Sequence, residues 1–187
     1  MAQVLIPLAE GFEEVEALAV VDILRRAGIG AVTATLGNDS TKAVTGRNGI
    51  RVFADSTLSE EENKNYDMIV LPGGLGGTEN LKKDNRIKTI VDRLHGEGKK
   101  IAAICAAPSV LEAQSKEVIK GKSLTSHPSV RGKITASSIS DERVVVDGNL
   151  ITSQSPGTAL EFAFKIVEVL AGKEKVEEVN KGVLARL

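Results

Sequence analysis

The residue best suited to covalent chemistry is Cys105, the single cysteine among 187 residues. It follows an apolar run at residues 101–104 and precedes the small residues at 106–108, so we predict a tight turn between a buried strand and a helix. The positive end of the helix dipole favours a thiolate there, and the thiolate is the nucleophilic form of cysteine. The same position would also suit an inert buried cysteine, so both interpretations remain open.

Glu16 is the candidate proton carrier. It lies among apolar neighbours in the first turn of a helix predicted at residues 13–26. Burial there would raise the pKa of its carboxyl group and keep it protonated, so that it could donate a hydrogen bond to a thiolate or transfer a proton. The alternative is that these acidic residues only complement the positive N-terminal end of the helix, and we prefer that interpretation for Glu13 and Glu14.

A glycine-rich segment at residues 72–77 could bring backbone N–H groups close to a ligand. It follows an apolar run at residues 68–71 and reads Pro-Gly-Gly-Leu-Gly-Gly. Its spacing matches neither the dinucleotide-binding fingerprint nor a Walker loop. The N–H groups of Gly74 and Ala106 could together form an oxyanion hole, and a plain tight turn is the alternative.

The two histidines have different expected roles. His127 lies in a loop of small residues and could approach Cys105 as a general base, whereas His95 ends an amphipathic helix and is interpreted as a solvated residue. Two histidines and one cysteine make a weak metal signal, so we predict no metal. The loop at residues 9–13 is acidic and poor in hydroxyl groups, which disfavours a flavin phosphate, and we predict no cofactor.

Composition and charge exclude several functional classes. The 24 Lys and Arg residues nearly balance the 25 Asp and Glu residues, so no overall field favours nucleic acid or an anionic membrane. One Tyr, four Phe and no Trp leave few platforms for stacking bases. No apolar run approaches the roughly 20 residues of a membrane span, and no signal peptide is recognisable. With one cysteine, a reducing cytoplasmic location is the simplest expectation.

Apolar runs alternate with amphipathic segments along the chain, which predicts alternating strands and helices. Strands are predicted at residues 4–8, 32–36, 68–71 and 101–104, and a hairpin around Asp147-Gly148. Helices are predicted at residues 13–26, 87–94 and 106–113, from Ser155-Pro156 to Gly172, and at about 173–181. We therefore predict one α/β domain over residues 1–187, with a mostly parallel sheet and helices on both faces.

Several segments together resemble the ThiJ/PfpI superfamily, and within it the branch of the Parkinson-disease protein DJ-one. In chain order they are residues 9–16 (AEGFEEVE), 24–28 (LRRAG), 70–74 (VLPGG), 102–108 (AAICAAP), 125–128 (TSHP), and 156–158 with 161–163 (PGT and EFA). They follow the family's order, and the resemblance extends from near residue 2 to residue 187.

The resemblance implies a flavodoxin-like three-layer sandwich that forms a homodimer through the first helix and the segment around Arg47. It implies a reactive, oxidisable nucleophile with a protonated acidic partner and a nearby histidine, which are Cys105, Glu16 and His127. It also implies a surrounding set of oxyanion-site and substrate-binding residues, which are Gly73, Gly74, Ala106, Arg26 and Arg47.

The family's activities set the expected function. They include a cofactor-free glyoxalase that converts methylglyoxal to lactate, a deglycase that acts on glycated groups, and redox sensing or chaperoning through a cysteine sulfinate. We expect a cysteine-dependent glyoxalase or deglycase for 2-oxoaldehydes or their adducts, which protects against carbonyl and oxidative stress. The alternative is a redox sensor or chaperone without significant turnover.

The chain departs from the family's pattern at two places. Gln154 stands where members of this branch commonly carry an arginine, which removes one cation that could bind an anionic substrate. Phe53 stands where the animal protein has an additional interface cysteine, so chemistry of that cysteine does not carry over. Ala106 after the cysteine, in place of a histidine, makes a PfpI-type peptidase unlikely, and a glutamine amidotransferase is unlikely because no His-x-Glu follows.

Overall fold

The computed structural model describes residues 1–37 and 40–187, which form eleven strands and eight α-helices. The strands are β1 (Gln3–Leu8), β2 (Gly30–Thr35), β3 (Ala43–Thr45), β4 (Arg51–Phe53), β5 (Ser56–Thr57), β6 (Met68–Leu71), β7 (Lys100–Ile104), β8 (Ser123–Leu124), β9 (Ser138–Ile139), β10 (Val144–Asp147) and β11 (Leu150–Ser153). The helices are α1 (Glu14–Arg26), α2 (Leu58–Glu61), α3 (Leu75–Lys83), α4 (Asn85–Gly96), α5 (Pro108–Gln114), α6 (Pro128–Arg131), α7 (Ala159–Ala171) and α8 (Lys173–Val183).

Seven of these strands form the central sheet, in the order β10-β11-β7-β6-β1-β2-β5. Neighbouring strands are parallel throughout, except that β10 pairs with β11 in the antiparallel hairpin predicted at Asp147-Gly148. The inner strands β6 and β11 are buried along their whole length. Parallel strands covered on both sides read as continuous apolar runs, which is why the sequence identified most of them.

Helices cover both faces of the sheet. α1 leads from β1 to β2, whereas α4 lies on the connection from β6 to β7, which crosses the sheet in the opposite direction. Because such crossovers are right-handed, this reversal places α1 and α4 on opposite faces. α7 packs against α1 and α8, and α3 packs against α4 and α5. The predicted mostly parallel α/β architecture is confirmed, and the change of direction between β1 and β6 is where such sheets bind ligands.

Some predicted boundaries differ from the observed ones. The second strand begins at Gly30, not at residue 32, because the parallel register with β1 already pairs Gly30 with Gln3. The helix predicted at residues 106–113 begins only at Pro108, since residues 105–107 form a turn. Ser155 does cap a helical turn, but that turn is a 3₁₀ helix, Pro156–Thr158, which leads into α7.

Within residues 1–37 and 40–187, no helix combines the length and apolar character that crossing a bilayer requires.

Candidate active site

Three segments that follow neighbouring strands meet at one edge of the sheet. β1 leads to Glu16 in the first turn of α1, β6 leads to Gly73 and Gly74, and β7 leads to Cys105. The Glu13 N–H group donates to the Gly73 carbonyl oxygen at 3.0 Å, which joins the first segment to the second. The structure therefore brings the predicted nucleophile, proton carrier and glycine-rich turn together.

Cys105 occupies a backbone conformation that is rare for residues other than glycine, with a φ of 63°. Its N–H group donates to the Ser153 carbonyl oxygen at 3.0 Å, and its carbonyl oxygen accepts from the His127 N–H group at 2.9 Å. These two hydrogen bonds hold the conformation from both sides. Strained, over-determined conformations of this kind occur at nucleophile turns between a strand and a helix, so the position favours a functional cysteine over an inert one.

Glu16 is completely buried, at 0% exposure. Its Oε2 atom accepts a hydrogen bond from the Gly73 N–H group at 2.8 Å. Its Oε1 atom is also buried and has no hydrogen-bond partner in the described part of the chain. Burial raises the pKa of this carboxyl group to about 7, although interactions with Cys105 and the Gly73 amide act in the opposite direction. The carboxyl group can therefore either hold or accept a proton near neutral pH.

The expectation of a thiolate favoured by the helix end is corrected by the surroundings of the sulfur. Cys105 is only 7% exposed. Burial, followed by the charge of Glu16, raises the pKa of the thiol to about 12, although the N–H groups of Gly74 and Ala106 act to lower it. Because each group disfavours the charge of the other, the pair carries no more than one negative charge near neutral pH. A proton on Glu16 removes its repulsion of a thiolate.

Gly73 and Gly74 are required by the close packing of the site. A Cβ atom on Gly73 would lie 2.5 Å from Glu16 Oε2 and 2.7 Å from Cys105 Cβ. Gly74 has a φ of 88°, and a Cβ atom there would lie 2.5 Å from the Gly11 carbonyl oxygen. The glycines therefore allow close approach of three chain segments, and they are more than a plain turn.

A cavity of about 310 Å³ opens above Cys105. Its lining residues are Arg47, Leu75, Cys105, Ala106, His127 and Ser129. Larger surface cavities of about 380 and 440 Å³ lie elsewhere and do not contain the cysteine. The volume above Cys105 is at the lower end of the range for small-molecule sites.

His127 lines this cavity, and its role as a general base stays a prediction. The Ser129 N–H group donates to His127 Nδ1 at 3.2 Å, and the Ser129 Oγ atom lies 2.8 Å from the same nitrogen. In a neutral ring whose Nδ1 accepts, the proton is on Nε2. The other ring nitrogen is therefore a donor, which suits the stabilisation of a carbonyl oxygen or oxyanion.

The two predicted arginines have different positions. Arg47 lines the cavity, with a side chain that is 49% exposed and a contact of 3.4 Å between its Nε atom and Glu13 Oε2. Arg26 lies ten residues beyond Glu16 on α1, roughly 15 Å along the helix axis, and its Nε atom pairs with Asp22 at 2.9 Å. Arg26 does not line the cavity of its own chain, because the rise of the helix carries it away from Cys105, and its role in substrate binding stays a prediction.

Glu13 and Glu14 do more than complement the helix N-terminus, the role expected for them. Glu14 is buried and accepts hydrogen bonds from the Asn48 N–H group at 2.8 Å, Asn48 Nδ2 at 2.9 Å and the Ile50 N–H group at 3.4 Å. Burial acts to raise the pKa of Glu14, but these hydrogen bonds lower it overall. Glu13 is also buried, and burial raises its pKa. The two carboxyl groups fix the segment that carries Arg47.

Gln154, which stands where the family commonly has an arginine, forms its hydrogen bonds outside the cavity. Its Nε2 atom donates to the carbonyl oxygens of Asp141 and Glu142 at 2.8 and 3.1 Å. A neighbouring cation, Arg143, donates to Glu161 and to the Gly157 carbonyl oxygen. In the described ranges, no three His, Cys, Asp or Glu side chains are grouped as a metal site would require.

Comparisons with known proteins identify relatives of the chain. The chain is 45% identical to the Drosophila melanogaster protein dj-1beta over 182 residues, which covers 96% of this chain and 95% of that protein. It is 43% identical to the Arabidopsis thaliana protein DJ-1 homolog B, covering 97% of this chain but only 41% of that longer protein. It is 37% identical to the Caenorhabditis elegans glutathione-independent glyoxalase DJR-1.2, covering 96% and 94%.

Solved structures give the same result. The crystal structure of Drosophila melanogaster DJ-1beta matches with a TM-score of 0.94 at 44% identity, covering 100% of both chains. Toxoplasma gondii DJ-1, in an oxidized form, matches with a TM-score of 0.94 at 34% identity, also covering 100% of both chains. The flavodoxin-like fold predicted from the resemblance is therefore confirmed. A family model, the DJ-1/PfpI family, matches residues 2–169, and this chain belongs to that family.

Proposed function

We propose that this protein is a cofactor-independent, cysteine-dependent glyoxalase that acts on 2-oxoaldehydes such as methylglyoxal, or as a deglycase on their adducts, and so protects against carbonyl stress. The observation that carries the proposal is the Glu16 carboxyl group, which is fully buried beside Cys105. Its pKa is raised to about 7, and one of its oxygens has no hydrogen-bond partner among the residues that the structure describes. One relative at 37% identity is named a glutathione-independent glyoxalase.

The first step forms a bond between the Cys105 sulfur and the aldehyde carbon. The thiol proton leaves the sulfur, and the electron pair of the C=O bond moves to the aldehyde oxygen, which takes up a proton to give a hemithioacetal. The N–H groups of Gly74 and Ala106 interact with the sulfur in the resting site, so they are close enough to stabilise the oxygen on the adjacent carbon.

The second step moves a hydrogen between two carbon atoms of the substrate. The Glu16 carboxylate removes the proton from the former aldehyde carbon while the ketone oxygen takes up a proton, which gives an enediol. Glu16 then returns its proton to the neighbouring carbon, and the hydroxyl group on the first carbon loses its proton as its oxygen becomes the carbonyl oxygen of a thioester. The first carbon is thereby oxidised to a thioester and the second is reduced to an alcohol, with no external electron acceptor. A carboxyl group that titrates near the working pH can serve both transfers.

The final step is hydrolysis. Water adds to the thioester carbon, the C–S bond breaks, and the sulfur recovers a proton, so that methylglyoxal and one water molecule yield lactate. In this sequence His127 donates from Nε2 to the ketone oxygen of the substrate, in agreement with the hydrogen bond that Nδ1 accepts from Ser129.

The test is lactate formation from methylglyoxal by the purified protein, without glutathione or added metal. Cys105→Ser and Glu16→Gln should each abolish turnover, because they remove the nucleophile and the proton carrier. Glu97→Gln, at an exposed residue just after α4, is the matched control and should leave the rate unchanged. Turnover by a clean preparation of Cys105→Ser would disprove the proposed mechanism.

A redox-sensing function is the second candidate, because one solved relative is an oxidized form and Cys105 has no second cysteine with which to form a disulfide. Two molecules of peroxide would convert the thiol to a sulfinate and release two molecules of water. The amides of Gly74 and Ala106 and a protonated Glu16 could donate to the sulfinate oxygens, and the oxidised protein would then change its partner binding or act as a chaperone. Intact mass after graded peroxide should show a gain of about 32 Da that Cys105→Ser abolishes. Oxidation without selectivity for Cys105 would argue against a sensor.

We further propose the homodimer expected from the resemblance. Val15 and Leu18 are exposed on α1, and Ile50 and Phe53 are exposed around β4. Glu14 accepts a hydrogen bond from the Ile50 amide, which brings exposed Ile50 close to the N-terminal end of α1. Apolar groups collected in this way are typical of an interface.

A further inference from the structure

Leu75 is a large apolar side chain that remains exposed at the mouth of the active-site cavity. It is 59% exposed, although it lines the same cavity as Cys105. Covering an exposed leucine side chain with an apolar group is favourable, because it removes apolar surface from water. The side chain is therefore available to a ligand that reaches the cysteine.

The backbone on either side of Leu75 is fixed in place. The Thr78 N–H group donates to the Gly74 carbonyl oxygen at 2.8 Å, and Thr78 Oγ1 donates to the Leu75 carbonyl oxygen at 3.0 Å. The Gly77 N–H group donates to the Gly11 carbonyl oxygen at 3.0 Å. The position of Leu75 relative to Cys105 is thus set before any ligand binds, as specificity-determining residues require.

The remaining walls of the cavity carry polar groups. Arg47, His127 and Ser129 contribute polar groups, and Ala106 is a small residue that contributes a backbone N–H group at the sulfur. A 2-oxoaldehyde likewise has a polar end, with two adjacent carbonyl oxygens, and a substituent at the other end. When the aldehyde carbon is bonded to the sulfur and the oxygens face the donors, Leu75 is the large apolar surface left for the substituent.

We infer that Leu75 is a specificity-determining residue that selects 2-oxoaldehydes with an alkyl or aryl substituent over those with hydrogen or a hydroxymethyl group. This inference rests on the proposed function, because it concerns the substrate of the same site. It assigns to Leu75 a contact with the unreactive end of the substrate and no part in proton transfer.

The test compares kcat/KM for phenylglyoxal and for glyoxal in the wild type and in single variants. Leu75→Ser should lower the ratio of the two values about tenfold, mainly through KM for phenylglyoxal, whereas Leu75→Met should keep it within about twofold. Leu160→Ser is the control, since Leu160 is a half-exposed leucine near the start of α7 that does not line the cavity. An unchanged ratio in folded Leu75→Ser would overturn the inference.

A second measurement separates this inference from the proposed function. Cys105 is the single cysteine, so its alkylation by iodoacetamide and by N-benzyl iodoacetamide can be followed by intact mass in a protein without turnover. We expect Leu75→Ser to lower the relative rate of the benzyl reagent about tenfold, with Leu160→Ser unchanged. If no 2-oxoaldehyde reacts but this preference depends on Leu75, the glyoxalase proposal fails and the apolar contact stands. If the preference does not depend on Leu75, the inference fails.

Discussion

Replacement of Glu16 by Gln should remove a pH-dependent loss of stability from this protein. Glutamine has nearly the same size as glutamate, and its amide oxygen can still accept the hydrogen bond that the Gly73 N–H group donates to Glu16 Oε2 at 2.8 Å. Glutamine cannot ionise. A comparison of wild type and Glu16→Gln therefore isolates the free energy of placing a charge at this buried position.

The direction and size of the effect follow from the pKa of Glu16. Burial raises this pKa from its ordinary value of 4.5 to about 7. Between these two values the folded protein keeps a proton that the unfolded chain has lost, so the free energy of unfolding falls as the pH rises through this window. At about 1.4 kcal/mol per pH unit, the loss is about 3 kcal/mol and is nearly complete by about pH 8.

Neighbouring ionisable groups affect this result in known directions. The charge of Glu13 raises the pKa of Glu16, and Arg47 lowers it. The Cys105 thiol has a pKa raised to about 12, so it stays protonated throughout the window. Glu13 has a raised pKa of its own, but it is present in both proteins, and its direct contribution largely cancels in the comparison.

The assay is urea denaturation at about pH 5 and about pH 8, at equal protein concentration. The wild type should lose about 2.5 kcal/mol more than Glu16→Gln between the two conditions, because part of the full effect is already lost at about pH 5. Glu97→Gln serves again as the control and should follow the wild type. A difference below about 1 kcal/mol would show that Glu16 does not titrate as a buried group, and the proton transfers proposed for it would lose their basis.

Three further predictions concern the framework of the site. Gly73→Ala should reduce the rate of Cys105 alkylation and lower the stability by about 2 kcal/mol or more, because its Cβ atom would lie 2.5 Å from Glu16 Oε2; thermal unfolding with wild-type midpoints would contradict the packing argument. Glu14→Ala should speed hydrogen exchange at the Asn48 and Ile50 amides about tenfold, since each loses its acceptor, and unchanged protection would mean that the carboxyl group does not hold this segment. Ile50→Glu should convert a dimer to a monomer in sedimentation experiments by placing a charge in the proposed interface; a wild-type sedimentation profile would place the interface elsewhere.

The sequence predicted the sheet and the position of Cys105 in a turn after a buried strand, because both depend on local patterns. Strands that are buried on both faces have continuous apolar sequences. A cysteine that directly follows such a strand and precedes a helix start with a proline must lie in the turn between them. The distance between Arg26 and the site could also be predicted from the local sequence, since ten residues of helix separate Arg26 from Glu16 by roughly 15 Å. Helix geometry alone therefore places Arg26 away from the cavity of its own chain.

Other features depend on contacts between distant segments. The carboxyl group of Glu14 bonds to Asn48, 34 residues further along the chain, and no local pattern indicates such a partner. The hairpin of β3 and β4 is made of three-residue strands, too short to show alternation. The proton position on His127 depends on the contacts of its Nδ1 atom with the Ser129 amide and hydroxyl groups, and residue types alone do not reveal it.

The backbone hydrogen bonds of Cys105 also link the maturation of the site to the order of folding. Its N–H group is held by Ser153 and its carbonyl oxygen by the His127 amide, so the turn that orients the sulfur depends on residues synthesised well after it. During synthesis, β1, β6 and β7 can pair before β11 exists, but the cysteine then lacks the partners that impose its strained conformation. The nascent chain would therefore carry an ordinary thiol, and its special surroundings would arise only when the last strands join the sheet.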